Sequence, residues 1–149
     1  FVRDFIGAER LNKESEHPKA LHLMIRDIAT IWAKRGLAEA FNIMKKRKVD
    51  QLYVTGNQQQ LLGRVTLEDL KHHYDDESKA VSDIMTTDIP QVAPDVLLPE
   101  IADIFSTQGV YTLPVVQEGQ LIGLITKSSL IRGIAEWEHQ GGDPDEGGN

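Results

Sequence analysis

Cysteine is absent from all 149 residues of the sequence. This excludes disulfide bonds, zinc–thiolate sites and catalysis by a thiol, and it is compatible with a reducing cytosol. No apolar run reaches the roughly 18 residues that a transmembrane helix needs, and no signal-peptide pattern is visible. Basic residues are in deficit, because 16 Lys and Arg stand against 23 Asp and Glu. This balance argues against general binding to a nucleic acid polymer, which requires a basic surplus to neutralise phosphates.

Motifs for catalysis are missing as well. The sequence holds no Ser-His-Asp set, no paired-carboxylate motif and no G-x-x-x-x-G-K-[ST] loop for ATP. His72 and His73, with Asp75 and Asp76 nearby, come nearest to a metal site, but adjacent residues on a helix point about 100° apart. We interpret these four residues as a solvated helix end. We therefore expect no enzymatic activity from this chain itself.

An internal repeat is the strongest pattern in the sequence. After a shift of sixty-one positions, Met24 coincides with Met85 and Leu37 with Leu98, and further on Gly63 coincides with Gly123 after the register slips by one. The slip falls at an expected hairpin turn, where length changes are tolerated. Two copies are too few for a solenoid, which needs at least three, so they predict a pair of modules related by a pseudo-twofold axis.

Each copy has the pattern of a β-α-β-β-α unit in an α+β fold. In the first copy Leu37, Ala40 and Met44 share one face of a helix, and Leu52-Tyr53-Val54 is typical of a strand. Thr66 and Thr126 are suited to cap the last helix of each copy. We assign residues 20–77 to the first repeat and 78–140 to the second. Residues 141–149 are rich in Gly and Asp, so we predict a disordered tail.

The N-terminal segment is expected to be a connection. Residues 1–19 include a polar stretch with Pro18, which is typical of a lead-in or linker. Because the chain starts at Phe1 and not at a methionine, we expect it to be a piece of a longer protein.

Both copies resemble CBS domains, and the pair resembles a tandem CBS (Bateman) module. The resemblance rests on Val81-Ser82-Asp83-Ile84-Met85-Thr86, on Leu113-Pro114-Val115-Val116, and on the stretches Gly63–Leu70 and Gly123–Leu130. Residues 1–11 are similar to the segment that follows the ATPase domain in ATP-binding subunits of osmoprotectant ABC importers. This resemblance implies a missing ATPase domain, a membrane permease subunit as partner, a homodimer through the CBS modules, and a location at the cytoplasmic face of the membrane.

The resemblance implies two alternative nucleotide sites. The first is the adenosine-type site of CBS modules, for AMP or ATP, which would use Gly63, Thr66, Asp69 and, in the second copy, Thr126. There the glycine would allow close approach of the nucleotide, and the aspartate would accept the ribose hydroxyls. Ser129 replaces that aspartate in the second copy. The alternative interpretation is that Thr66 and Thr126 are helix caps and Asp69 is a first-turn acid.

The second implied site binds cyclic di-AMP in the cleft of a CBS dimer. The residues that match the family's positions are Ala29, Val49, Gln51, Thr112, Leu124 and Lys127. Lys127 would pair with a phosphate. The nearest aromatic for stacking on adenine is Tyr111, one residue before Thr112, and alternation along a strand places it on the opposite face. The alternative interpretation is that these positions pack at a dimer interface without a ligand.

The sequence thus predicts a regulatory module with no resident cofactor that senses cyclic di-AMP. Three alternatives stay open: an energy sensor for AMP or ATP, a ligand-free sensor of ionic strength that uses the basic run Lys45–Lys48, and a bare dimerisation module. For the dimer we expect apolar helix faces formed by Leu67 and Leu70 in one copy, and by Leu130, Ile131 and Ile134 in the other.

Overall fold

A computed structural model describes residues 17–148, with side chains through residue 138. The helices are α1 (Ala20–Leu23), α2 (Leu37–Arg47), α3 (Leu67–His73), α4 (Val81–Ile84), α5 (Leu98–Gln108) and α6 (Lys127–Gly148). The strands are β1 (Thr30–Trp32), β2 (Gln51–Thr55), β3 (Leu61–Thr66), β4 (Thr112–Gln117) and β5 (Gln120–Thr126). None of the helices in the described part of the chain is long and apolar enough to cross a membrane.

The first repeat contains the predicted β-α-β-β-α order. Strand β1 pairs with β2 in parallel and β2 pairs with β3 in antiparallel fashion, so β2 lies at the centre of a three-stranded sheet. Helix α2 connects the two parallel strands, as such a crossover requires. Its buried residues Leu37, Ala40 and Met44 recur at helical spacing and pack in one core with Leu52 and Val65.

The second repeat reproduces these elements with one difference. Helices α4 and α5 begin and end sixty-one residues after α1 and α2. The predicted first strand of this copy is reduced to a single parallel bridge between Val92 and Val115, which matches the Ile31–Val54 pair of the first copy. Pro90 and Pro94 flank the bridge. Since proline has no N–H to donate to a ladder, a longer regular strand is disfavoured there.

The ends of α2 and α5 show how strict the equivalence is. Both helices end at a residue in the left-handed region, Lys48 with φ 58° and Gly109 with φ 61°. Glycine adopts this conformation without strain, whereas a side chain makes it less favourable. The two copies therefore share the backbone turn although the residue types differ.

The chain divides into two compact units that do not coincide with the two repeats. Within the described part of the chain, unit 1 comprises residues 17–25, 92–115 and 124–148, and unit 2 comprises residues 26–91 and 116–123. Helix α1 of the first repeat thus belongs to unit 1, where Leu23 packs closely against Gly133 of α6. Helix α4 of the second repeat belongs to unit 2, and its Val81 is part of that unit's core.

The structure describes part of the predicted linker and part of the predicted tail. Pro18, assigned to the linker, is buried, and its carbonyl oxygen accepts a hydrogen bond from the Leu98 N–H at 2.9 Å. Residues 1–16 of the predicted lead-in lie outside the described part. Helix α6 is drawn to Gly148, and the disorder expected for residues 141–149 stays a prediction.

Candidate functional site

The junction between β3 and α3 in unit 2 contains the first candidate site. The Thr66 N–H donates to Oδ2 of Asp69 at 2.9 Å, and the Asp69 N–H donates to Oγ1 of Thr66 at 3.1 Å. This reciprocal pair is a capping box, which satisfies two backbone donors at the start of the helix. The helix-cap interpretation of Thr66 and Asp69 is therefore confirmed. Their use by a nucleotide stays a prediction.

Gly63 has a packing reason for lacking a side chain. A Cβ atom there would lie 2.6 Å from the carbonyl oxygen of Thr86 and 2.9 Å from the sulfur of Met85. Contacts this short do not occur in real proteins, so the neighbouring backbone would have to move. The glycine permits β3 to pair with the segment after α4, and this requirement holds without any ligand.

The equivalent junction in unit 1 uses a serine. The Thr126 N–H donates to Oγ of Ser129 at 2.8 Å, and the Ser129 N–H donates to Oγ1 of Thr126 at 3.0 Å. The Ser129 hydroxyl also donates to the Thr126 carbonyl oxygen at 3.1 Å. Ser129 is buried, so its hydroxyl is committed to the cap. The cap interpretation is confirmed for Thr126 as well.

Tyr111 and Lys127 come together at the surface of unit 1. The Lys127 Nζ lies 5.2 Å from the centroid of the Tyr111 ring, within the range of a cation–π contact. Tyr111 is 75% exposed, so much of its ring is open to solvent. The expectation that Tyr111 lies on the opposite face of a strand is wrong. Strand β4 begins at Thr112, so Tyr111 precedes it and alternation does not apply.

The other predicted residues of the dimer-cleft site differ in their surroundings. In unit 1, Thr112 is half-buried and Leu124 is buried, with its backbone N–H and C=O both hydrogen-bonded to Ile25. In unit 2, Ala29 and Gln51 are half-buried, and Val49 is exposed just after α2. The structure therefore brings Tyr111 and Lys127 into contact. The participation of the remaining residues stays a prediction.

Other candidates have structural roles. Leu70, expected on an exposed dimer face, is buried in the core of unit 2 because it lies on the face of α3 that packs inward, whereas Ile131 is exposed.

Arg47 of the basic run pairs with Asp27, and its Nη2 atom lies 2.9 Å from Oδ1 of Asp27. Among the residues with described side chains, no three His, Cys, Asp or Glu lie close enough to hold a metal ion together.

Asp76 lies just after α3 and accepts the hydrogen bonds of a tight turn. Its Oδ1 accepts the Ser78 hydroxyl at 2.6 Å and the Ser78 N–H at 3.1 Å. These two hydrogen bonds, helped by the nearby charges of Lys79 and His73, lower the pKa of Asp76 below its ordinary value. The cause is local, so the low pKa has a structural explanation.

The repeated elements and their capped junctions agree with a known family. The CBS domain model matches residues 20–76 and 81–136, one match for each repeat. The chain belongs to the CBS domain family. The predicted tandem CBS pair of the α+β class is thereby confirmed.

Relatives of this CBS pair include transport proteins and enzymes. The glycine betaine/carnitine/choline transport ATP-binding protein OpuCA of Bacillus subtilis is 32% identical over 133 residues, 88% of this chain and 35% of the relative. The inosine-5'-monophosphate dehydrogenase of Methanocaldococcus jannaschii is 30% identical over 125 residues, 83% of this chain and 25% of the enzyme. The solved structure of Staphylococcus aureus OpuCA has a TM-score of 0.68 and 29% identity, covering 76% of this chain and 97% of that one.

These similarities concern only a part of each relative. The CBS pair spans about a third of the length of the transport relative and a quarter of the length of the enzyme. It is similar to the CBS region of ATP-binding subunits of osmoprotectant transporters.

Proposed function

We propose that this CBS pair regulates the ATP-binding subunit of an osmoprotectant ABC importer, and that it does so by binding cyclic di-AMP. Similarity to the transport protein OpuCA over 88% of the chain supports the assignment to an importer. In the full protein the module would act at the cytoplasmic face of the membrane, joined to an ATPase domain and associated with a permease subunit. The module would pair as a homodimer.

The contact between Tyr111 and Lys127 carries the ligand proposal. An exposed aromatic ring offers a surface on which a base can stack, and the adjacent ammonium group can pair with a phosphate. The cation–π contact favours a position of Lys127 beside the ring, so the two groups lie on one surface of unit 1. Lys127 is also the first residue of α6, where the helix dipole favours an anion.

Regulation requires the ligand to distinguish two states. Cyclic di-AMP would shift the dimer between arrangements only if it binds one more tightly than the other. A site completed by two copies of the module would meet this requirement, because its affinity depends on how the copies are placed.

AMP and ATP are weaker candidates at the Gly63–Asp69 site. The carboxylate of Asp69 already accepts the Thr66 N–H, and Gly63 is required by packing against Thr86. A ribose would therefore share the Asp69 carboxylate with the helix cap, which occupies Oδ2 and leaves Oδ1. This comparison favours the Tyr111–Lys127 site.

Isothermal titration calorimetry with cyclic di-AMP, AMP and ATP tests the proposal. A charge-assisted contact contributes about 1.5–3 kcal/mol, so Lys127→Ala is expected to weaken cyclic di-AMP binding by about ten- to a hundredfold. Tyr111→Ala should weaken it by a similar factor, since base–aromatic stacking contributes about 1–3 kcal/mol. Lys34→Ala is a matched control, because Nζ of Lys34 lies 5.7 Å from the Trp32 ring in unit 2.

The alternatives predict other results. Binding that survives Lys127→Ala and is lost in Asp69→Ala would place the ligand at the adenosine-type site. No heat with any nucleotide would favour an ionic-strength sensor or a bare dimerisation module, and salt-dependent unfolding would separate those two. A monomer in sedimentation at tens of micromolar would contradict the homodimer.

A further inference from the structure

An exposed tryptophan lies at the end of the unit 2 sheet where β1 and β2 both end. Strand β1 ends at Trp32, which pairs with Thr55, the last residue of β2. The turn that joins β2 to β3 follows directly, at residues 56–60. Trp32 is 44% exposed, although its side chain is largely apolar. The proposed nucleotide sites do not use this end of the sheet.

A second turn lies against the first. The Leu61 N–H donates to the Gly119 carbonyl oxygen at 2.9 Å, and Gln60 forms an antiparallel bridge with Gln120. Residues 116–123, which contain the turn between β4 and β5, belong to unit 2. Backbone contacts therefore hold both turns together within one compact unit. We define the turn surface as Trp32 together with residues 57–60 and 117–120.

The turn surface is nearly free of charge. Its only charged residue is Glu118, whereas the whole chain has a net charge of -7. Copies of such a chain repel each other over most of their surface. Two copies meet with the least repulsion where charges are sparse, so the turn surface is electrostatically suited to a contact between copies.

Amide side chains cover this surface. Six of the eight turn residues are asparagine or glutamine, and all six are exposed: Asn57, Gln58, Gln59, Gln60, Gln117 and Gln120. Among the residues with described side chains, these six form no side-chain hydrogen bond. An amide group both donates and accepts, so a surface of amides is complementary to a copy of itself. A twofold contact requires this property, because the same patch faces itself.

The first turn keeps glutamine where glycine would be less strained. Gln58 and Gln59 have φ values of 56° and 63°, in the left-handed region. Hairpin turns with consecutive positive φ values favour Asn-Gly or Gly-Gly, and the other turn has Gly119 at φ 83°. The backbone of the first turn therefore does not favour glutamine. Strained residues of this kind are concentrated at functional sites, which indicates that the amide side chains make a contact.

We propose that the turn surface of unit 2 binds the turn surface of a second copy of this chain, with Trp32 as its apolar anchor. Protein interfaces are enriched in tryptophan and depleted of charge at their centre, which is the composition found here. The contact uses none of the residues of the helix faces expected to form the homodimer. It therefore does not depend on the cyclic di-AMP proposal, and with that homodimer it would give an assembly larger than a dimer.

Sedimentation velocity over a range of protein concentrations tests the proposal. The nine residues of the surface are fewer than the roughly 20–30 on each side of a stable interface, so the contact should need concentrations on the order of 100 μM. Trp32→Ala is expected to weaken it about thirtyfold, as for an interface anchor. Gln108→Glu is the control, because Gln108 is an exposed glutamine of α5 in unit 1.

Variants of Gln59 separate a contact from a structural role. Gln59→Glu and Gln59→Lys should each associate weakly, because like charges face each other, and an equimolar mixture of the two should associate again. Gln59→Gly should unfold at a higher temperature than the wild type, because it removes strain, and yet associate more weakly. A purely structural role of Gln59 would leave association unchanged in all of these variants.

Comparison with Ile131→Glu, which alters the helix face of α6, distinguishes this contact from the proposed homodimer. Association that is weakened by Trp32→Ala and Gln59→Glu and survives Ile131→Glu supports the turn surface, whether or not the helix faces also pair. Association that is lost only in Ile131→Glu would overturn the turn surface and leave the homodimer. A monomer at every concentration would overturn both, and a charge mixture that fails to associate would exclude pairing of the turns with each other.

Discussion

Replacement of Gly63 by alanine distinguishes packing from ligand binding at the β3–α3 junction. The added Cβ would lie 2.6 Å from the Thr86 carbonyl oxygen, so that oxygen must retreat by about 0.8 Å to reach an ordinary contact distance of 3.4 Å. The same oxygen accepts the Arg64 N–H at 2.9 Å. Overpacking costs about 1–3 kcal/mol and a weakened hydrogen bond about 0.5–1.5 kcal/mol. We therefore expect a loss of about 2–4 kcal/mol in the free energy of unfolding.

Urea unfolding of the ligand-free chain, followed by circular dichroism, measures this loss. Gly36→Ala is the control, because the nearest atom to its added Cβ is 4.0 Å away. Gly36 is the N-cap of α2, so Gly36→Ala is expected to lower the free energy of unfolding by less than about 1 kcal/mol. Unchanged stability in Gly63→Ala together with weaker nucleotide binding would refute the packing argument. It would restore the interpretation that Gly63 allows a nucleotide to approach.

Two further predictions concern carboxylates of unit 2. Asp69→Ala removes the acceptor of the Thr66 N–H, so it should lower the free energy of unfolding of the ligand-free chain, measured with urea, by about 1 kcal/mol. Equal stability of the variant and the wild type would show that the capping box contributes nothing. The side-chain carboxyl of Asp76 should titrate by NMR below the ordinary range, and Ser78→Ala should raise its pKa. Because the pKa of Asp76 is lower in the folded state than in the unfolded state, Asp76 stabilises the folded state at pH values above its unfolded pKa. This stabilisation is lost as the pH falls through the folded pKa. A titration unaffected by Ser78→Ala would contradict the assigned cause.

The repeat made much of the fold predictable. Its offset relates α2 to α5 and the Ile31–Val54 pair to Val92–Val115, because residues that fill equivalent core positions must recur at equivalent places. The four-residue helices α1 and α4 were not predicted. They are too short to show helical periodicity, although the coincidence of Met24 with Met85 just after each was a signal for a shared turn.

The site was less predictable, because its features depend on residues distant in sequence. Arg64 is visible in the sequence, but the burial of its Nε atom, which has no hydrogen-bond partner among the residues with described side chains, depends on how the sheet and the segment around Thr86 surround it. The contact of Lys127 with Tyr111 depends on where β4 begins, and strand ends are poorly determined by residue preferences. The assignment of segments to the two units depends on packing between distant parts of the chain, which no local pattern records.

The division of each repeat between the units has a consequence for synthesis on the ribosome. Val81 belongs to the core of unit 2, and residues 116–123 complete that unit. A first repeat that has just left the ribosome therefore lacks part of its own core, and contacts of long sequence separation must wait for the rest of the chain. Neither repeat is expected to reach its native state alone. The two copies are therefore expected to mature together, late in translation.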